Sequence, residues 1–160
     1  LKNEKVSSNN WSPVINLGFS YNIPEDYILN LDLRMQIYRK ISDINEILEL
    51  KKIISNLEDR FGKFPELFNN LFKIIEIKIL CKKLNIEKID NSPEGFVFKL
   101  RNIEMSYIDN LISLAKNRPK RIKLLPNSKL IYISKKYDNF EKVLELKNFL
   151  ESLIKYVEQK

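Results

Sequence analysis

Two adjacent carboxylate pairs, Glu25-Asp26 and Glu58-Asp59, are the groups in this sequence whose type would best suit general acid–base work. Neighbours on a helix point about 100° apart, so neither pair converges on one reacting atom, and solvation is the simpler reading. The other ingredients of catalysis are missing. The chain has no histidine, which removes the commonest base at neutral pH and the commonest metal ligand. Cys81 is the only cysteine, so neither a Cys/His zinc site nor an internal disulfide can be assembled. It sits in an apolar helical pattern, which suits inert packing better than a reactive thiol. Ser106 and Ser113 have no histidine to activate them. Gly18, Gly62 and Gly95 lie far apart, so there is no glycine-rich phosphate loop. No catalytic, cofactor-binding or metal-binding residue is nominated, and no cofactor is expected in this domain.

Two charged constellations suit binding instead. Between Asn110 and Tyr137 there is no acid, while Lys116, Arg118, Lys120, Arg121, Lys123, Lys129, Lys135 and Lys136 all fall inside. The net charge is +7. One reading is a face for phosphates or acidic groups, with Lys120, Arg121, Lys123 and Lys129 as nucleic-acid contacts and Tyr132 and Tyr137 available for stacking. The other is a solvated hairpin whose lysines guard an edge strand. Richness in Lys, Asn and Ile throughout also fits an AT-biased genome. The second constellation is Glu46, Glu49, Lys52, Asn56 and Asp59, with Arg60 beside it, on one side of a helix. In isolation it reads as a wet surface.

The elements that must position these groups follow from periodicity and punctuation. Ile15, Leu17 and Phe19 alternate as a short strand after Pro13. A first helix is predicted from Leu31 to Ile41, capped by Asn30, with Leu31, Met35, Tyr38 and Ile41 as its core stripe and its charged row facing solvent. Asp43 and Glu46 have the spacing of a capping box for the second helix. That helix buries Ile47, Leu50, Ile54, Leu57 and Phe61 and stops at Gly62 in a left-handed cap. Pro65 opens a third, apolar helix reaching Leu84. Glu87–Asp90 and Gly95–Arg101 form a hairpin around Asn91-Ser92-Pro93-Glu94. A helix over Ser106–Lys116 follows, then strands Arg121–Leu125 and Lys129–Ser134. The last helix, Asn139–Val157, is capped by Asp138 and turns Phe140, Val143, Leu146, Leu150, Leu153 and Val157 inward.

The order is a helical first half, then antiparallel hairpins alternating with helices. The expected class is therefore α+β with an antiparallel sheet, in one compact domain. Residues 1–12 read as a linker or tail from a preceding module and 13–160 as the domain. The polar start beginning at Leu1 hints at a piece of a longer protein and shows no signal peptide. No apolar run approaches the roughly 20 residues of a membrane span. A reducing cytoplasm is the expected compartment.

Three blocks carry a resemblance: Ile23-Pro24-Glu25-Asp26-Tyr27-Ile28, Leu33-Arg34-Met35-Gln36-Ile37-Tyr38-Arg39-Lys40-Ile41, and Leu57-Glu58-Asp59-Arg60-Phe61-Gly62-Lys63-Phe64-Pro65. Their order resembles I-P-x-x-Y-I, R-x-x-x-Y-[KR]-[KR]-[IL] and E-[IL]-x-D-R-[FY]-G-x-x-P in the C-terminal domain of the bacterial transcription-repair coupling factors, the Mfd family. The resemblance implies a parent that is an ATP-driven DNA translocase, with ATP and magnesium bound elsewhere in it. Such a parent dislodges RNA polymerase stalled at a lesion and recruits the excision-repair protein UvrA. It also implies that this domain is a non-catalytic, autoinhibitory clasp. The clasp packs on the parent's amino-terminal, UvrB-like module and masks the surface UvrA would bind until the translocase engages polymerase and DNA. Carried over, Asp59 is the acid on that contact, facing an arginine-bearing surface. Three residues earlier, where relatives often have an acid, this chain has Asn56, and Glu58 or Glu49 could supply the charge instead. The alternative reading is a basic nucleic-acid-binding module using the 116–136 hairpin.

Overall fold

The computed structural model describes residues 11–158. The expected linker, residues 1–12, lies outside the described residues apart from Trp11 and Ser12. The chain divides into two compact units: Gly18–Ile79 is one, and the segment ending at Leu17 together with the segment from Leu80 onward is the other.

The first unit is helical. Helix α1 (Leu31–Ser42) starts where expected, with the Asn30 side chain accepting the Leu33 N–H at 3.0 Å. Its core stripe is not the expected one. Leu31 and Met35 are 57% and 45% exposed, and Arg34, Ile37 and Ile41 are buried. The reason is Arg34. Its guanidinium donates to the carbonyls of Ile28 at 2.6 Å and Leu29 at 3.1 Å, with Glu25 at 3.9 Å. A cation whose donors are satisfied can be buried, and a search for apolar letters passes over it. Tyr38 is half-buried for a related reason: its hydroxyl accepts the Ile23 N–H at 2.6 Å.

Helix α2 (Ile47–Phe61) is entered without the expected capping box. Its N-cap is Glu46, with no side-chain cap bond. Asp43 instead ends α1 in the right-handed helical conformation, and its N–H bonds the Arg39 carbonyl at 3.2 Å. An N-cap must be extended, so Asp43 cannot serve both helices. The stop at Gly62 holds, in a different conformation from a left-handed helical cap: φ is 86° and ψ is −167°. That region is open essentially to glycine alone. A Cβ there would meet nothing within 4 Å, so the requirement is conformational and not steric crowding.

Helix α3 (Glu66–Lys83) follows directly after Pro65, whose carbonyl accepts from Phe68 and Asn69 at 3.1 Å. Phe68, Leu71, Phe72, Ile75 and Ile79 pack with Leu50 and Leu57 of α2 and Ile37 and Ile41 of α1 in one core. Phe64, Phe68 and Phe72 form an aromatic run, and Tyr27 meets Phe68 edge-on at 5.8 Å. The Tyr27 hydroxyl donates to the Gly62 carbonyl at 2.6 Å.

The second unit is a five-stranded sheet with two helices. The strands are β1 (Val14–Asn16), β2 (Ile86–Ser92), β3 (Gly95–Leu100), β4 (Ile122–Leu125) and β5 (Lys129–Ile133), in the order β1-β2-β3-β5-β4. The helices are α4 (Met105–Asn117) and α5 (Asn139–Glu158). The class is α+β, as expected. The sheet is mixed and not purely antiparallel, because β1 runs parallel to β2. The whole helical half of the chain separates those two strands, so no hairpin dictates their direction. One sheet face carries Ile15, Ile89, Phe96, Phe98, Leu130 and Ile122, all buried. Phe149 of α5 stacks there on Tyr132 at 4.2 Å and tilts against Phe98. Asp138 caps α5 by accepting the Glu141 N–H at 3.1 Å. Phe140, expected inside, is 61% exposed. It lies roughly a third of a turn from the face made by Val143, Leu146, Phe149, Leu150 and Leu153. Gly95 is required for pairing: with φ at 149°, a Cβ would collide with the Tyr132 carbonyl oxygen and approach the Ser134 nitrogen to 2.7 Å. Among the described residues no helix is long and apolar enough to cross a membrane.

Replacing Arg34 by Met removes two bonds from a charged donor, each worth about 1.5–3 kcal/mol. Urea unfolding should show a loss of about 2–3 kcal/mol, and a loss below about 0.5 kcal/mol would contradict this account of α1. Gly62→Ala should cost about 1–3 kcal/mol in the same assay, with no change in secondary structure by circular dichroism.

Candidate functional site

Helix α2 is the element on which the expected interface residues ride, and its geometry sorts them. Leu50 and Leu57 face the core, with Ile47, Ile53, Ile54 and Phe61 half-buried beside them. At about 100° per residue the outward crest is then Leu48, Lys52, Ser55 and Asp59. Glu49, Asn56 and Arg60 fall on the flank toward α1. Glu58 falls on the opposite flank, toward Tyr27, whose hydroxyl pKa is raised by burial and then by the Glu58 charge. All five expected residues, Glu49, Asn56, Glu58, Asp59 and Arg60, are exposed. Asp59 is thus brought together with Asn56 and Arg60, Glu49 shares their flank about 15 Å along the axis, and Glu58 is set apart on the other side.

The crest carries an unpaired acid and an unpaired apolar side chain. Asp59 makes no hydrogen bond or ion pair among the described residues. Leu48 is 72% exposed. Sequence reasoning passed over Leu48. The available signal was that it falls outside the three-and-four spacing of Ile47, Leu50, Ile54, Leu57 and Phe61. On the α1 flank, a groove of about 140 Å³ is lined by Leu33, Gln36 and Lys40 of α1 and by Asn56, Leu57 and Arg60 of α2. Part of the charged row of α1 therefore borders this surface. Arg60 is held over the Phe61 ring at 5.0 Å, which leaves its guanidinium at the groove's edge. The arrangement suits polar contact with another surface: a free carboxylate beside a cationic groove at the C-terminal end of the crest, with an exposed leucine about 16 Å along the axis at its other end.

The basic run of the second unit does not form one face. Lys116, Arg118 and Lys120 are exposed at the end of α4 and in the following turn. Arg121 is engaged internally, donating to the Ile133 carbonyl at 3.3 Å and lying 3.5 Å from Glu145. Glu145 also accepts from the Ser134 hydroxyl at 2.7 Å and the Tyr132 hydroxyl at 3.1 Å, so it ties the second hairpin to α5. Burial, then the Glu145 charge, pushes the Tyr132 hydroxyl pKa up. Lys123 and Lys129 stand on the sheet face opposite the buried one. An open cleft of about 420 Å³ lies beside α5, lined in part by Arg118, Tyr132, Lys136, Leu144, Glu145 and Phe149.

Chemistry-bearing groups do not converge elsewhere. Among the described residues no cluster of three or more His, Cys, Asp or Glu could hold a metal. Cys81 is buried, and burial pushes its thiol far above the ordinary range. Tyr107 is shifted the same way by burial and then by Cys81, and its hydroxyl donates to the Leu84 carbonyl at 2.8 Å.

Comparison with known proteins gives a consistent result. A family profile described as the TRCF domain matches residues 17–111. The transcription-repair-coupling factor of Rickettsia typhi is 39% identical over 140 residues, covering 86% of this chain and 12% of that protein. That of Borreliella burgdorferi is 36% identical over 139 residues, again 86% of this chain and 12% of the relative. The crystal structure of the C-terminal domain of a transcription-repair coupling factor superposes with a TM-score of 0.75 at 19% identity, covering 94% of this chain and 96% of that one. The chain thus spans about an eighth of the length of the Rickettsia typhi relative.

A buried thiol held in its protonated form is a poor nucleophile. Iodoacetamide at pH 8 should label Cys81 at least about tenfold more slowly in the native chain than in urea, measured by mass spectrometry.

Proposed function

Because this chain belongs to the transcription-repair coupling factor family and has the fold of that family's C-terminal domain, we propose that it is a non-catalytic regulatory clasp within a longer ATP-dependent DNA translocase. The clasp packs the α2 crest on a UvrB-like amino-terminal module of the same protein. While packed, it covers the surface at which UvrA would bind. It opens when the parent engages stalled RNA polymerase and DNA, with ATP and magnesium bound outside this domain. Asp59 is the central contact, the Asn56–Arg60 flank is its neighbour, and Leu48 and Glu49 extend the contact about three turns toward the helix N-terminus.

The observation that carries this reading is the exposed Asp59 carboxylate with no partner among the described residues, on a helix packed on the core below and ended at Gly62, whose carbonyl accepts from Tyr27. A free acid on an ordered helix face is available to pair with a cation on another surface. The small area of such a crest suits an interface that must open. A nucleic-acid contact by the 116–136 hairpin has less support, because Arg121 is already paired with Glu145 and the other cations divide between the end of α4 with its turn (Lys116, Arg118, Lys120) and a sheet face (Lys123, Lys129).

Clasp closure and UvrA binding exclude one another, so weakening one strengthens the other by the same free energy. In the full-length protein, Asp59→Arg should raise UvrA affinity by about fivefold or more. Leu48→Ser should act in the same direction, and nucleotide binding should be unchanged in both. Surface plasmon resonance with immobilised UvrA measures this. Affinities equal to wild type for both variants would remove the α2 crest from the proposed contact.

A further inference from the structure

The strand register brings together three lysines that lie far apart in sequence. Lys88 on β2 is directly opposite Lys99 on β3, and Lys99 is directly opposite Lys129 on β5. Directly opposed side chains share one face at about 4.5–5.5 Å between Cβ atoms, so the three lysine side chains leave the sheet in a row about 10 Å long. It lies on the face opposite the buried Phe98 and Leu130. The next row on the same face is Lys123, Ile131, Val97 and Asp90, again in direct register. Val97 and Ile131 are half-buried, and the flanking Leu125 is 37% exposed. The face is therefore an apolar strip bordered by a line of positive charge.

Like charges in direct opposition disfavour folding. Two of the three are relieved locally: Lys88 lies 3.5 Å from Asp90 and Lys99 lies 3.1 Å from Glu87, with lysine side chains 46% and 49% exposed. Lys129 has no partner among the described residues. Protection of a sheet edge does not account for the row. The edges are β1 and β4, whereas Lys99 sits on the central strand and Lys88 and Lys129 on the strands either side of it. Only Lys123 is on an edge strand.

We infer that this face, with Lys88, Lys99 and Lys129 as its charged border and Val97 and Ile131 as its apolar floor, is a docking surface for an acidic amphipathic helix of a protein partner. A helix places residues four and seven apart at about 6 and 10.5 Å along its axis. Carboxylates so spaced span the lysine row, while adjoining apolar residues cover Val97, Ile131 and Leu125. A nucleic acid fits less well. The face offers no exposed aromatic ring for stacking, Asp90 interrupts it, and the apolar strip has no counterpart in a phosphate backbone. The inference is independent of the clasp, whose residues all belong to the unit Gly18–Ile79.

The test uses the 160-residue chain and a synthetic fluorescein-labelled helix of about 18 residues. Its glutamates recur at three-and-four spacing beside a leucine stripe. Fluorescence anisotropy should show binding that weakens with salt, and NMR shifts should fall on Lys99, Lys129, Val97 and Ile131. Lys99→Glu with Lys129→Glu should weaken binding at least tenfold, and a peptide with lysine in place of glutamate should then bind the variant better than the original peptide does. If charge reversal unfolds the chain, Lys99→Gln with Lys129→Gln takes its place, with a loss of at least threefold expected. Three outcomes would overturn the proposal: no binding, equal binding by a scrambled peptide of the same composition, or a 20-base oligothymidylate that shifts the same residues and binds more tightly than the peptide.

Discussion

The first unit depends on a non-helical segment, residues 23–29, that is folded by a turn in which the Tyr27 and Ile28 N–H groups donate to the Pro24 carbonyl and is tied down by side chains from elsewhere. Arg34 reaches from α1 to the carbonyls of Ile28 and Leu29. Tyr38, one turn further along, accepts the Ile23 N–H. Tyr27 leaves the segment in the other direction, inserts its ring among Phe61, Phe64 and Phe68, and bonds the Gly62 carbonyl. One strip of backbone is thereby fastened to α1 at one side and to the α2–α3 junction at the other. Backbone groups in such a strip need partners when water is excluded; the turn at Pro24 supplies some of them and the Arg34 and Tyr38 side chains supply others. The orientation of α2, and so the direction in which Asp59 points, follows from this attachment.

That attachment explains why the motif blocks combine two kinds of residue. In Leu57-Glu58-Asp59-Arg60-Phe61-Gly62, Leu57 is core, Phe61 packs on Tyr27, and Gly62 takes a conformation closed to other residues. These three set the end of the helix. Asp59 is exposed between them, with no partner among the described residues. A side chain placed within one turn of such a fixed point starts from a well-defined backbone position. A partner surface can then meet it without ordering it first. Arg34 reads in sequence as part of a charged, solvated row, yet its role is internal; Tyr38, read as core, is held there by its hydroxyl as well as its ring.

In the second unit, the sheet and its helices are joined by a polar hub as well as by apolar burial. Glu145 on α5 gathers Ser134, Tyr132 and Arg121 from the second hairpin. Below it, Phe149 lies flat on Tyr132. This use of Arg121 takes one cation out of the basic run. The register of β2, β3 and β5 meanwhile lines up Lys88, Lys99 and Lys129 from two separate hairpins. The lysines that stand side by side on this unit are thus neighbours across strands and not along the chain.

Periodicity and punctuation made most elements legible. The Asn30 cap, the Gly62 stop, the proline before α3, the alternation of Phe96, Phe98 and Leu100, and the Asp138 cap all act within a few residues, where backbone conformation and nearest-neighbour hydrogen bonds decide the outcome. The family was legible too, because the motif blocks keep their letters and order. Where reading failed, the deciding partner was distant. Leu31 and Met35 were displaced from the core by Arg34, whose burial depends on carbonyls five and six residues back across a turn. Asp43 could not cap α2 because α1 runs on to use it. The direction of β1 against β2 depends on a crossing of the whole helical half. What the sequence by itself determined was which segments are helix or strand, most of where they stop, and that the chain has no histidine and one cysteine. Only the tertiary structure decided which charges are free, which are consumed inside the fold, and which stand in register, because a lysine's neighbours across a sheet are set by strand pairing and not by position in the chain.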